Sequence, residues 1–357
     1  MKLIDIYIGR CIVQQSLLVI AVLTGIFAFL NFIDQLADLG SGSYGLLEVL
    51  WFVVLTTPRI IHETFPMASL VGTILGLSVL ARHSELTVMR ASGISLGQIT
   101  GSVLKVGTIF VLLSLVIGEF VSPFTETMAQ RGRAEALEQD IEQKYSSGLW
   151  MRDQSTFVNV AEVMPDLRLL RIKIFEFDRK NHDRLVSLTY ARSGYYDQDR
   201  WQLNGVSKTI IDEKGRADIL DVDQSAWATE VTPGMMSVFL VQPGQLPLLQ
   251  LKKYIEHLKL NAQDTRAYEL AYWGKVVLPL STAVMLILAV PFVFGNARAG
   301  GLGRNLFLGI MLGLGFFVLN KALGYIVLVY GVHPFVGATL PTLMFLGGAL
   351  ILYRRVV

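Results

Sequence analysis

Nearly uncharged apolar runs of about 20 residues, the length that crosses about 30 Å of hydrocarbon as a helix, recur six times along the chain. They are Ile12–Phe32, Thr64–Ala81, Thr100–Val121, Lys275–Phe294, Asn305–Leu328 and Phe335–Tyr353. Three precede and three follow a polar central stretch. A further run, Leu47–Thr57, ends at Pro58 and Arg59 and is too short to span alone. With a second break at Pro66 it reads either as an interfacial helix or as a bent outer extension of the second span. In the central stretch the period changes to two, most clearly in Leu170-Arg171-Ile172-Lys173-Ile174 and Phe175-Glu176-Phe177. A turn at Asp178–Asn181 separates these from Leu185–Tyr190, and short runs follow at Trp201–Leu203, Thr209–Ile211 and Ile219–Val222. Such strands predict a sandwich or jelly roll. Helical spacing flanks them at Glu126–Lys144 and Leu246–Leu260, the latter with an apolar stripe of Leu248, Leu251, Tyr254, Ile255 and Leu258. The expected fold is therefore a membrane α-helical protein of six transmembrane helices with an inserted all-β jelly-roll-like domain. Its expected divisions are 1–123, 124–268 and 269–357.

Composition sharpens this division. Of the 60 charged side chains, 40 lie between Phe124 and Tyr268, as expected if a bilayer core excludes unpaired charge from the rest. The central stretch balances 19 basic against 21 acidic residues, which argues against a nucleic-acid binder. Cys11 is the single cysteine, so no intrachain disulfide framework or cysteine-rich metal site is expected. Its position before the first apolar segment also argues against lipidation, and that segment is longer than a cleavable signal. Basic residues in short loops favour the cytoplasm. Lys2, Arg10, Arg82, Arg90, Arg298, Arg304, Arg354 and Arg355 fall on one side and only Arg59 on the other. Both termini are thus expected inside and the polar insert outside the cytoplasm.

Familiar catalytic patterns fail. Gly274-Lys275 and Gly300–Arg304 lack the rest of a phosphate-binding loop, and His62-Glu63 has no second histidine in helical register. Gly93-Ile94-Ser95-Leu96-Gly97 matches the nucleophile-elbow string but stands at the entry to a membrane helix, where chance explains it better. The loop Ala81–Gly93 is more informative. Ser84 as N-cap, an apolar register at Leu86, Val88 and Met89, and a stop at Gly93 predict a short amphipathic helix. It is either a solvated loop whose charges set topology or a coupling helix that docks into a partner ATPase.

The stretch Phe65–Ser95 (FPMASLVGTILGLSVLARHSELTVMRASGIS) resembles the lipopolysaccharide-export permease family LptF/LptG. Supporting matches are Asp5–Gly9, Phe32–Leu36, Gly42-Ser43-Tyr44, Gly118–Pro123, and Lys275 with Pro279-Leu280-Ser281. The Phe-Ile-Asp-Gln and Gly-Ser-Tyr elements are closer to the LptG branch than to LptF. This resemblance implies a non-enzymatic permease subunit of an inner-membrane ABC transporter without a cofactor of its own. ATP and Mg would be bound by a dimer of the partner ATPase LptB. The implied companions are the permease LptF, LptC and, indirectly, LptA; the substrate is lipopolysaccharide.

On this resemblance, Arg82, Glu85, Leu86, Met89 and Arg90 form the coupling helix. The alternative for Glu85 is an acid favoured by the helix dipole. Arg131, Arg133 and Lys321 are candidate contacts for lipid phosphates, because cations suit phosphate oxygens and an ammonium within a span is functional by default. Arg133 matches a basic position of the family. Arg131 and Arg133 could equally be a solvated helix face, and Lys321 could pair with an acid such as Glu119. Lys275 is expected to anchor the outer end of its span, and Lys105 to snorkel inward. Relatives often carry basic residues at the outer end of span one, where this chain has Asn31, Ala37 and Asp38. Phe27, Leu30, Phe65, Met67, Leu70 and Phe317 are grouped as acyl-chain cavity candidates, each of which helix packing would explain as well. The competing readings are the LptF-type subunit, an intramembrane enzyme and a structural anchor of an envelope complex.

Overall fold

The computed structural model describes residues 3–137, 149–153, 155–163, 168–178, 184–197, 200–212, 215–227, 229, 243–261, 263–296 and 302–356. The first block holds α1 (Leu3–Gln35), α2 (Leu46–Arg82), α3 (Glu85–Ala91), α4 (Leu96–Val116), a π-helical segment at Ile117–Val121, and α5 (Ser122–Ala136). After six strands come α6 (Leu248–Leu260), α7 (Arg266–Asn296), α8 (Leu302–Tyr330) and α9 (Pro334–Val356). Among the described residues six helical stretches are long and apolar enough to cross a membrane: α1, α2, α4 with α5, α7, α8 and α9.

Pro58 and Pro66 do not break α2. The Thr56 and Thr57 hydroxyls donate to carbonyls of the preceding turn at Phe52 and Val53, and Thr64 donates to Ile60, the back-bonding that lets a membrane helix tolerate proline. Leu47–Thr57 is therefore a continuous extension of the second span, which at 37 residues reaches roughly 55 Å. Ser84 stands at the N-cap position of α3 but in the left-handed region at φ 58°, without a side-chain cap. The reciprocal cap lies instead at the start of α4, where Ser95 Oγ accepts from Gln98 N and Gln98 Oε1 accepts from Ser95 N. That bond assigns the Gly-Ile-Ser-Leu-Gly string a capping role.

α2 is the axis of the bundle. Its apolar window is 89% buried, against 11% for α1 and 17% for α8, so the flanking helices cover α2 and leave their own outer faces bare. Small residues permit this contact, as lipid provides no hydrophobic drive between helices. A Cβ on Gly72 would lie 2.4 Å from Ser16 Cα, one on Gly76 3.1 Å from Ile12 Cα, and one on Gly313 2.6 Å from Met67 Cγ. At the end carrying the termini, buried Asp5 of α1 accepts from Ser102 Oγ and Lys105 Nζ of α4, each at 2.6 Å. At the opposite end Gly42, at φ 56°, passes so close to the last turn of α5 that a Cβ would meet Ala136 O at 2.8 Å. Ser43 N and Oγ both donate to that carbonyl, and Tyr44 Oη donates to Gln35. The Gly-Ser-Tyr element thus ties the α1–α2 loop to α5.

The inserted domain contains β1 (Leu149–Asp153), β2 (Thr156–Val163), β3 (Leu169–Phe177), β4 (Leu185–Asp197), β5 (Arg200–Ile211) and β6 (Ala217–Trp227). They form one antiparallel sheet in the order β1-β2-β3-β4-β5-β6, a meander. The non-sequential pairings of a closed jelly roll are not found among the described strands. Leu149, Val158, Val160, Leu169, Ile172, Ile174, Ala191, Trp201 and Leu203 form its core. Ile172 and Ile174 alternate with exposed Arg171 and Lys173 as the sequence predicts, whereas Leu169 takes the core place expected of Leu170, and Phe175 and Phe177 stay outside the core. Trp201–Leu203 and Thr209–Ile211 join into one strand. Residues 179–183, most of the expected turn after β3, and 138–148, the tail of the expected helix after span three, lie outside the described residues. The stripe of α6 packs Leu251, Tyr254 and Leu258 onto Tyr268 and Tyr272 of α7. Before α7, the Arg266 guanidinium and backbone N–H donate to Asp264 and hold its carboxyl down to about 2.

Gly72→Ala is expected to push α1 off α2 and to destabilise the protein by about 3 kcal/mol or more, since the obstructing atoms include backbone. Gly25→Ala meets nothing within 4 Å and should leave the midpoint unchanged. Thermal unfolding in detergent, followed by tryptophan fluorescence, distinguishes them; equal midpoints would contradict the close-approach account.

Candidate functional site

The bundle end nearest the β domain carries a row of alternating charges. Glu126 of α5, 1% exposed, accepts from Arg59 Nε of α2 at 3.1 Å. Arg59 also donates to Glu63 one turn along α2, at 3.3 Å, and Glu63 accepts from Lys321 Nζ of α8 at 3.3 Å. Lys321 lies 5.8 Å from the centroid of Phe317, whose ring is 6.0 Å from that of Phe27 on α1. Charge and aromatic contacts therefore link α5, α2, α8 and α1. Lys321 is half-exposed and also lines a cavity of about 210 Å³ with Leu270, Asn320, Gly324 and Tyr325. Its acid is Glu63, not Glu119 as the sequence suggests, because Glu119 is already engaged.

Glu119 sits in the π-helical segment between α4 and α5. One oxygen accepts from the Leu248 backbone N–H at the start of α6, at 2.9 Å. The other faces Lys275 Nζ of α7 at 3.5 Å, and Lys275 also donates to Gly118 O at 3.0 Å. A carboxylate at a helix N-terminus meets unpaired N–H groups and the positive end of the dipole. Gly118 is required by buried His62, since a Cβ there would lie 2.3 Å from the imidazole Cε1. Lys275, 8% exposed at its side chain, is thus an anchor between helices.

The two candidate arginines differ. Arg133 donates to Asp38 and to Gln35 Oε1, and lies 6.0 Å from the ring of Phe52. It is occupied in joining α5 to the end of α1, where Asp38 supplies its acid. Arg131 has a buried Nε without a hydrogen-bond partner among the described residues. Of the acyl-chain candidates, Phe27, Leu30 and Phe317 lie on the partly or fully exposed faces of α1 and α8. Phe65 (1% exposed), Leu70 (0%) and Met67 (7%) are covered by the chain's own helices. Phe65 stacks edge-on with Phe110, and Met67 fills the space beside Gly313. Those three serve packing.

At the terminal end, Leu86 is 3% exposed and Met89 packs with it on the bundle core. They fasten α3 to the protein. Glu85 accepts from Tyr7 Oη of α1 at 2.8 Å, and Arg90 lies 6.0 Å from the ring of Phe294 on α7. The outward face consists of Arg82, Thr87, Val88 (62% exposed), Arg90 and Ala91. Arg59 and Glu63 escape the sequence reading, although their i,i+4 spacing after Pro58 in an apolar context is the signal that could have found them.

The family described as "Lipopolysaccharide export system permease LptF/LptG" matches residues 6–355. The chain belongs to this family. It is 35% identical over 344 residues to the lipopolysaccharide export system permease protein LptG of Escherichia coli strain K12, covering 96% of this chain and 95% of that protein. The LptG of Haemophilus influenzae is 33% identical over 347 residues, 96% of each chain. The chain is accordingly a membrane permease homologue, with the charged row and the α3 face as its candidate working surfaces.

Arg59→Ala leaves Glu126 buried without its cation and should cost about 3–5 kcal/mol. The double variant Arg59→Ala/Glu126→Leu should recover part of that loss. Thermal midpoints of the single and double variants decide; additive losses would remove the pair from the account.

Proposed function

We propose that the chain is one half of an ABC-type lipopolysaccharide exporter of the bacterial inner membrane. It pairs with an LptF-type permease and rests on a dimer of an LptB-type ATPase, which binds ATP and Mg. The termini and α3 face the cytoplasm, and the β domain faces the periplasm. Lipopolysaccharide enters from the outer leaflet and moves along the β domain toward LptC-type and LptA-type proteins.

The observation that carries this reading is the pair of bare flanks on α1 and α8, only 11% and 17% buried in their apolar windows, in a chain matched by the family over residues 6–355. They form an open wall that a second permease half completes. The wall is amphiphilic along its length: Phe27 and Phe317 meet across it, while Lys321 stands one turn further along α8 toward the β-domain end. That order suits acyl chains below and phosphates above. β6 supports the onward step. It pairs only with β5 among the described strands and is exposed along Ile219, Leu220 and Val222, an edge to which another strand can add. The outward face of α3 supports contact with an ATPase, with Val88 as its apolar element.

Purification of the chain from bacterial membranes is expected to recover an ATPase whose hydrolysis rises when lipopolysaccharide is added. Val88→Glu leaves the core untouched and should lower ATPase recovery more than about tenfold, because a charge would be desolvated in the contact. Lys321→Ala should keep the ATPase but retain less lipopolysaccharide. Absence of an ATPase, or hydrolysis indifferent to lipopolysaccharide, would defeat the exporter reading and favour a structural anchor.

A further inference from the structure

At the terminal end of the bundle, far along α8 from Lys321, a groove of about 570 Å³ opens between α7, α8 and α9. Its floor is Leu288, Pro291 and Phe292 of α7, and its walls are Leu312 of α8 with Phe345 and Leu352 of α9. Gly295 and Gly348 leave the opening free of side chains, and a Cβ on Gly348 would meet nothing within 4 Å. Met344, 55% exposed, marks the side facing lipid. Among the described lining residues the charged one is Arg355, in the last turn of α9 and exposed, with Arg354 beside it.

We infer that this groove is a binding site for one anionic glycerophospholipid of the leaflet on the side of the termini, with an acyl chain in the slot and the phosphate on Arg355. The volume lies within the roughly 300–1,000 Å³ of small-molecule sites. A helix, about 10–12 Å across with its side chains, does not fit such a slot, whereas a hydrocarbon chain does. Charge selects the headgroup: an exposed guanidinium at the membrane edge binds phosphate oxygens bidentately, and basic pockets between membrane helices at this depth hold anionic headgroups. The groove is separate from the wall assigned above to lipopolysaccharide. It requires only that the bundle lie in a membrane, whichever way the chain faces. An occupied slot would fill the gap between α9 and α7 at the level of the α3–α7 contact between Arg90 and Phe294.

The test uses the protein purified in mild detergent with whatever assembles on it, and native mass spectrometry of its bound lipid. The expected result is a retained phosphatidylglycerol or cardiolipin. After delipidation, phosphatidylglycerol should rebind better than phosphatidylethanolamine. Gly348→Phe, which fills the slot, and Arg355→Glu, which reverses the charge at an exposed position, should each weaken phosphatidylglycerol binding about tenfold, the scale of one charge-assisted contact. Gly101→Phe, at another glycine with nothing within 4 Å, should leave it unchanged. Equal binding by Gly348→Phe, Arg355→Glu and the unaltered protein would overturn the inference. So would retention of lipopolysaccharide or a zwitterionic lipid in this groove, or a crosslink from position 348 to another protein. Loss of ATPase recovery with phospholipid binding intact would instead count against the proposed exporter alone.

Discussion

The close packing of α1 and α8 onto α2 is the constraint from which the rest of the membrane part follows. In hydrocarbon, apolar side chains gain little by leaving lipid for protein, so helices associate where their surfaces can approach. Gly72 and Gly76 on α2 admit α1, and Gly309 and Gly313 on α8 admit Ile74 and Met67. Because α2 consumes these contacts on both sides, it is buried, and the opposite faces of α1 and α8 remain uncovered. The same geometry explains why Phe65 and Leu70 belong to the core while Phe27 and Phe317 reach the open wall.

Polar groups along α2 are then forced into partnerships. A lone cation or carboxylate at this depth would be costly, and Arg59, Glu63, Glu126 and Lys321 share the cost in an alternating row. The row is electrically balanced, so a phosphate approaching Lys321 must compete with Glu63. Lys321 is half-exposed and open to such an approach, whereas Lys275 is enclosed between Gly118 O and Glu119. Exposure, more than charge, separates a lysine able to meet a ligand from one that fastens helices.

The six spans, the β domain and the short helix at residues 85–91 were legible from periodicity, because apolar runs of membrane length and period-two alternation are local signals. Less legible was what each residue faces. Leu86 and Met89 look like a docking surface in an amphipathic helix, yet the apolar side of a short surface helix first satisfies its own protein, leaving Val88 outward. Ser84 is a good cap for α3 by type, yet its left-handed turn leaves that helix without a side-chain cap. Pairings such as Lys321 with Glu63 join residues 258 positions apart, and spacing along the chain carries no trace of them.

The π-helical segment at Ile117–Val121 has a consequence for how the two parts of the molecule communicate. One extra residue in that turn accompanies a backbone carbonyl, Gly118 O, that Lys275 takes up, and the adjacent Glu119 receives the first N–H of α6. The chain enters the β domain through α5 and returns through α6, so both passages are fastened within one turn of the same irregularity. Any displacement of α4 or α7 in the membrane must therefore act on both ends of the inserted domain together. Breaking the Glu119 contact would loosen the return helix without removing a single apolar contact of the bundle.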